Sequence, residues 1–213
     1  MSLSRAETLE QLARLCRNGR EGPAPRIESS GSASLDAVLP GGGWQSGTVV
    51  ELMPTAEGIG ELRLLMPALA KITHSERHVA MVAPPYIPFA PALLQHGLRL
   101  EHFWIIRAQT AADILWSTEQ TLRCKSFGAV LAWPLTIRDR EVRRLQLAAE
   151  AGSSIGFVYR SPAAVRESSP AAVRLQLKAD ASGQLHVDVI KCRGARGGLS
   201  VDIGSEPAAA VVE

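Results

Sequence analysis

The residues of this chain best placed to do chemistry sit in one stretch, PTAEGIGEL at 54–62, between a β-branched apolar run and a run of helical apolar spacing. A glycine-bearing loop in that position presents successive backbone N–H groups and can cradle a phosphate. Splitting a nucleoside triphosphate takes more. A lysine must meet the β/γ-phosphates, a following Ser or Thr must hold Mg²⁺, an acid at a later strand end must complete the metal site, and a carboxylate must activate water. Gly58 and Gly60 keep the loop, but Glu61 and Leu62 stand where the lysine and the hydroxyl are needed. Two unit charges about 4 Å apart interact by roughly 4 kcal/mol near a protein surface. Exchanging the lysine for a carboxylate therefore turns a large attraction into repulsion, although the backbone of Gly58 and Gly60 remains a weak anion nest.

The two later strand ends are no better equipped. One runs into Pro84 and Pro85, the other into Trp133 and Pro134. Imino rings exchange no proton, and an indole holds no Mg²⁺. Three lost roles predict a degenerate nucleotide pocket formed by Gly58, Gly60, Glu61, Leu62, Pro84, Pro85 and Trp133. It has no catalytic residue, metal or cofactor, and ATP hydrolysis is not expected.

The elements that position these residues follow from hydrophobic periodicity. Short apolar runs at 48–53, 78–83, 103–106, 127–133 and 154–159 predict buried strands. Helices fall between them. One follows Gly60, with Leu62, Leu65, Met66 and Leu69 at spacings of three and four. Another covers 111–124, with Ile114, Leu115, Thr118 and Leu122 inward, and a third covers 138–151. Alternation of this kind predicts an α/β fold with a mostly parallel central sheet flanked by helices. Two further runs, 172–178 and 185–192, predict a C-terminal β-hairpin turned near 180–183.

Three divisions are expected. Residues 1–30 hold an amphipathic helix, with Leu9, Leu12 and Leu15 along one side, and a Gly/Pro/Ser linker. The core spans 31–203, and 204–213 is a flexible tail. The stripe Leu9, Leu12, Leu15 must be covered by the core or by a partner, and both remain open. Ser32 or Ser34 is expected to cap a short helix before the turn at 40–43, and Trp44 is either exposed or a lid over the sheet edge.

With 213 residues, 46% apolar and 21% charged, the chain can bury one sizeable core. No run is long enough to span a membrane, and a cytoplasmic location is expected. Cys16, Cys124 and Cys192 are far apart and odd in number, which suggests neither a zinc site nor a disulfide framework but buried, reduced thiols. The net charge of +2 is unremarkable, but residues 160–196 hold seven Lys/Arg against three acids. From that asymmetry Arg174, Lys191, Arg193 and Arg196 are candidate DNA- or partner-binding residues. Arg140, Arg143 and Arg144 are expected to form a solvated helix face. The prolines at 84–94 frame Tyr86, Ile87 and Phe89, a candidate partner-binding knob unless it folds onto the sheet.

The succession SLDAVLPGGGWQSGTVVEL resembles the entry to a RecA core, and EGIGELRLLMPALA, APPYIPFAPALL, the later WP and IKCRG are similar to ImuA, a family of RecA-like accessory proteins of error-prone translesion synthesis. SulA-type cell-division inhibitors resemble the same segment. The resemblance covers about 31–196. It implies a RecA-like P-loop-type core, the hairpin matching the terminal ribbon that carries Lys-x-Arg, here Lys191 and Arg193. It further implies a noncatalytic adaptor of DNA damage-induced translesion synthesis in the SOS response. The expected partners are a Y-family-like polymerase homologue (ImuB-type), an error-prone replicative-type polymerase, and RecA or single-stranded DNA. The alternative is a SulA-like inhibitor that binds FtsZ.

Overall fold

The computed structural model describes residues 26–194 and 197–203. Leu9, Leu12, Leu15, Arg196 and the segment 204–213 lie outside the described residues.

The apolar runs build one sheet. After a small antiparallel pair, β1 (Ile27–Glu28) with β2 (Trp44–Gln45), come β3 (Thr48–Pro54), β4 (His78–Val82), β5 (Phe103–Ile106), β6 (Phe127–Ala132), β7 (Ile155–Tyr159), β8 (Val173–Ala179), β9 (Leu185–Cys192) and β10 (Leu199–Ile203). The last eight form one sheet in the order β10-β9-β8-β3-β7-β6-β4-β5. From β8 to β5 the neighbours run parallel, while β9 is antiparallel to both β8 and β10. β6 and β7 are buried at every position, as parallel strands covered on both faces must be.

Two helical layers cover the sheet. On one face α1 (Ala33–Asp36), α2 (Met66–His74) and α3 (Ala90–Gln95) close over Val50, Leu52, Met81, Leu131 and Phe157. On the other, α4 (Ala111–Arg123) and α5 (Asp139–Gly152) pack through Ile114, Leu122, Val142 and Leu145 onto Val49, Val82, Val130 and Val158. Alternate residues of each strand thus feed alternate layers, the two-residue period of a pleated strand. Among the described residues no helix is long and apolar enough to cross a membrane.

Several expectations are corrected. The helix after Gly60 begins a turn later than its apolar spacing suggests, at Met66. Pro67 has no N–H to bond back to Arg63, so residues 61–65 stay in tight turns and regular α-helix starts where proline is tolerated, in the first turn. Ile27 and Glu28, within the expected linker, form β1. The hairpin is extended by β10, a strand the glycine-flanked LSVDI gave little reason to expect. Trp44 is buried, 1% exposed, edge-on to Phe157 with centroids 5.3 Å apart. Ser32 is the cap, accepting from the Leu35 N–H. Cys192 is free and buried, whereas Cys124 is disulfide-bonded and is not the reduced thiol expected.

Candidate functional site

In parallel sheets ligands meet the carboxyl ends of the strands, and there the loop at 54–62 lies. The chain leaves β3 at Pro54, and the Thr55 N–H donates to the Leu177 carbonyl. Gly58 and Gly60 take φ of +74° and +93°, the left-handed region that a glycine enters without steric cost. The loop then closes on itself. Glu61 Oε1 accepts from the Gly58 N–H at 3.2 Å, so the loop's own carboxylate occupies this backbone donor. Glu61 Oε2 is buried and has no hydrogen-bond partner among the described residues. Leu62 and Ile59 are partly buried and pack against the core beneath.

Trp133 follows β6 and Tyr159 ends β7. Their rings stack, centroids 4.3 Å apart and planes 9° from parallel. Tyr159 pairs in register with Leu52 of β3, which places the stack beside the start of the loop. The Tyr159 hydroxyl is buried without a partner among the described residues, and its ionisation is pushed far above the usual phenol range, by burial first and by the charge of Glu61 second. The carboxyl ends of β6 and β7 are therefore filled by a packed aromatic pair.

The third strand end is strained. Ala83 takes φ of +51°, costly for a residue with a Cβ, and Pro84 and Pro85 follow. Pro84 is half-buried and Pro85 exposed. The knob faces outward: Tyr86, Ile87 and Phe89 are 71%, 65% and 73% exposed. Leu135, beyond β6, is 70% exposed. The Tyr86 hydroxyl donates to Glu57 Oε2 at 2.9 Å, tying knob to loop, and this hydrogen bond raises the phenol above its ordinary pKa.

Beneath this edge lies a cluster that pattern reasoning missed. Glu51, in the middle of β3, is fully buried between two arginines. Arg160 Nη1 reaches Oε1 at 2.9 Å and Arg174 Nε reaches Oε2 at 2.7 Å, while Ser169 Oγ donates to Oε1 at 2.7 Å. Arg160 also pairs with Glu167 at 2.6 Å, and Arg174 donates to the carbonyls of Glu167 and Ala164. The signal was a lone acid inside the apolar run VVELM, which cannot be buried without cationic partners.

This cluster corrects the expected basic surface. Arg174 is 4% exposed and its donors are engaged internally, so it presents nothing to a phosphate. Lys178 is paired with Asp188 at 2.6 Å, and half-buried Lys191 donates to the Ser169 carbonyl at 2.7 Å. Arg193 is exposed, with its N–H on the Ala172 carbonyl. Because β9 runs against β8, Lys191 and Arg193 sit at the amino edge of the sheet, opposite Glu61 and Trp133. Arg140 and Arg143 are exposed as expected, and Arg144 pairs with Glu119. Among the described residues no group of three or more His, Cys, Asp or Glu side chains is placed to hold a metal ion.

No family profile matches the chain. It is similar to proteins named cell division inhibitor SulA. The one from Edwardsiella piscicida is 32% identical over 116 residues, covering 54% of this chain and 68% of the relative. That of Pectobacterium atrosepticum is 29% identical over 140 residues, 65% of this chain and 83% of the relative. That of Photorhabdus laumondii is 27% identical over 115 residues, and the chain spans 65% of its length.

Proposed function

The chain belongs to the family of the cell division inhibitor SulA, and on that footing we propose a noncatalytic binding protein that restrains division after DNA damage by docking on FtsZ. The core is a RecA-like scaffold whose phosphate loop has been retired. The observation that carries this reading is the closed loop, with the Gly58 N–H taken by Glu61, Leu62 turned into the core, and Trp133 stacked on Tyr159. What the same edge offers instead is a rim of exposed Tyr86, Ile87, Phe89 and Leu135, and exposed aromatic groups that become buried supply much of the energy of protein interfaces.

The test is GTP-driven FtsZ assembly followed by light scattering. The protein at near-equimolar ratio is expected to suppress assembly, and the double variant Tyr86→Ala, Phe89→Ala to need about tenfold more, since losing a contact of 1.4 kcal/mol is a factor of ten. Undiminished assembly in the presence of the intact protein rejects the reading. Full potency in the variant moves the contact elsewhere.

A second reading, the ImuA-type adaptor of translesion synthesis, is favoured by Arg193, which stays exposed at the amino edge where it can meet a polymerase partner, RecA or single-stranded DNA. Co-purification from damaged cells separates the two. FtsZ in the eluate supports the inhibitor, and a Y-family-like polymerase homologue supports the adaptor.

A further inference from the structure

A recess lies at the amino edge of the sheet, away from the loop at 54–62. Its volume is about 390 Å³, within the range of small-molecule sites. One wall is the turn carrying PGGGWQSG, which neither the phosphate-loop reading nor the docking rim uses. Gly43 is required there, because a Cβ would come 2.5 Å from the Glu28 carbonyl oxygen. The turn is held against α5 by Gln146, whose side-chain amide bridges the Gly47 carbonyl at 2.8 Å and the Val49 N–H at 2.9 Å.

The recess has both apolar and polar walls. Trp44, Val50, Ala172 and Val173 contribute buried surface, while Arg193 and Glu150 line it as exposed charges. These two make no ion pair with each other or with any other described residue. Glu150 Oε1 accepts from Gln146 Nε2 at 2.9 Å, which fixes the carboxylate. The Trp44 indole Nε1–H is buried and has no acceptor among the described residues, an expense native interiors rarely tolerate unless something else accepts the bond.

We propose that this recess binds a small zwitterion of the free α-amino-acid type with an apolar side chain, its carboxylate on Arg193 and its ammonium on Glu150. A lone anion would meet Glu150 and a lone cation would meet Arg193, so a molecule carrying both charges at one end matches this lining. The apolar side chain lies against the apolar part of the lining, Pro40, Ala172 and Val173.

The probe is L-phenylalanine, titrated into the full ¹⁵N-labelled chain and followed by the indole and amide resonances. Saturable shifts are expected at the Trp44 indole, Ser46 and Val173. N-acetyl-L-phenylalanine, which lacks the ammonium, and L-phenylalaninamide, which lacks the carboxylate, should each bind about tenfold more weakly, as charge-assisted hydrogen bonds to either end are lost. R193Q should weaken L-phenylalanine without affecting the amide analogue, and E150Q should weaken it without affecting the N-acetyl analogue. Both substituted side chains are exposed, and the dispersion of the same spectra reports that the fold is intact. Absence of saturable shifts up to about 10 mM, a range that reaches even millimolar affinities, overturns the proposal. So does indifference of L-phenylalanine binding to R193Q and E150Q, or equal affinity for the one-charge analogues.

Discussion

Trp133 lies flat on Tyr159, 4.3 Å between ring centroids, and this contact joins the ends of two neighbouring strands where a hydrolytic enzyme would keep open space. Because the Tyr159 hydroxyl is buried and has no partner among the described residues, its ring contact with Trp133 carries the interaction. Stacked aromatic pairs contribute about 0.5–1.5 kcal/mol beyond their buried area. Trp133→Ala should lower unfolding free energy by about 2–3 kcal/mol in urea, less than for a fully buried ring because Trp133 is partly exposed. Trp133→Phe should recover most of it. An alanine variant as stable as the parent would show that the stack holds nothing together.

Restoring the missing loop letters should not restore the site. Glu61→Lys with Leu62→Thr returns a cation and a hydroxyl, but α2 still begins at Met66 and Trp133 still covers Tyr159. Calorimetric titration with Mg-ATP is expected to give a Kd no tighter than about 1 mM, equivalent to roughly 4 kcal/mol. Micromolar binding by this double variant would mean that the loop is a latent nucleotide site.

The Glu51 cluster should dominate stability at this edge. Glu51→Gln leaves Arg160 and Arg174 short of their counter-ion in a dry environment, with a cost of about 3–5 kcal/mol. Arg174→Ala should cost a similar amount in urea unfolding, while leaving the salt dependence of any single-stranded DNA binding unchanged. A flattened salt slope in Arg174→Ala, with stability intact, would contradict the buried placement of this side chain.

His186 links the hairpin turn to the edge strand and gives a pH signature. Its Nδ1 meets Asp202 at 2.5 Å and its Nε2 lies 3.4 Å from Asp180. Hydrogen bonds to Asp202 and then Asp180 raise the imidazole above its ordinary value, whereas Ser182 and the Gln184 N–H bring Asp180 down to about 2. A raised histidine contributes fully below its unfolded pKa of about 6.5 and loses that contribution as pH rises through the folded value. A depressed carboxylate contributes above about 3.9 and loses it as pH falls toward 2. Amide exchange in β10 should therefore be slowest between about pH 4 and 6.5 and quicken on either side, after correction for intrinsic rates. In His186→Ala the loss on the alkaline side should vanish; a persisting loss would assign it to another group.

The parallel sheet and its helices were legible because each depends on local apolar period. FGAVLA and IGFVY are buried at every position, and the Ile114, Thr118 and Leu122 face of α4 points inward as spacing alone requires. The start of α2 was not, because the missing N–H of Pro67 outweighs a continuous apolar stripe. Of the candidate site, the residues Glu61, Leu62, Pro84, Pro85 and Trp133 could be named from the chain. Their mutual contacts were not, since the Glu61 bond to Gly58 and the Trp133 stack on Tyr159 arise only when the strand ends converge. Charge counting over 160–196 failed because it cannot tell Arg174, spent on a partner 123 positions away, from Arg193, which remains exposed.

β3 lies in the middle of the sheet, between β8 and β7, yet it is the first of the sheet's strands in the sequence, and both of its neighbours arrive more than a hundred positions later. A growing chain therefore carries this strongly apolar strand without either neighbour until β7 is made. Loop-closure entropy makes such distant pairing slow. Closing the centre of the sheet thus waits on β7 and β8, and a chain lacking β8 would leave one edge of β3 without its partner.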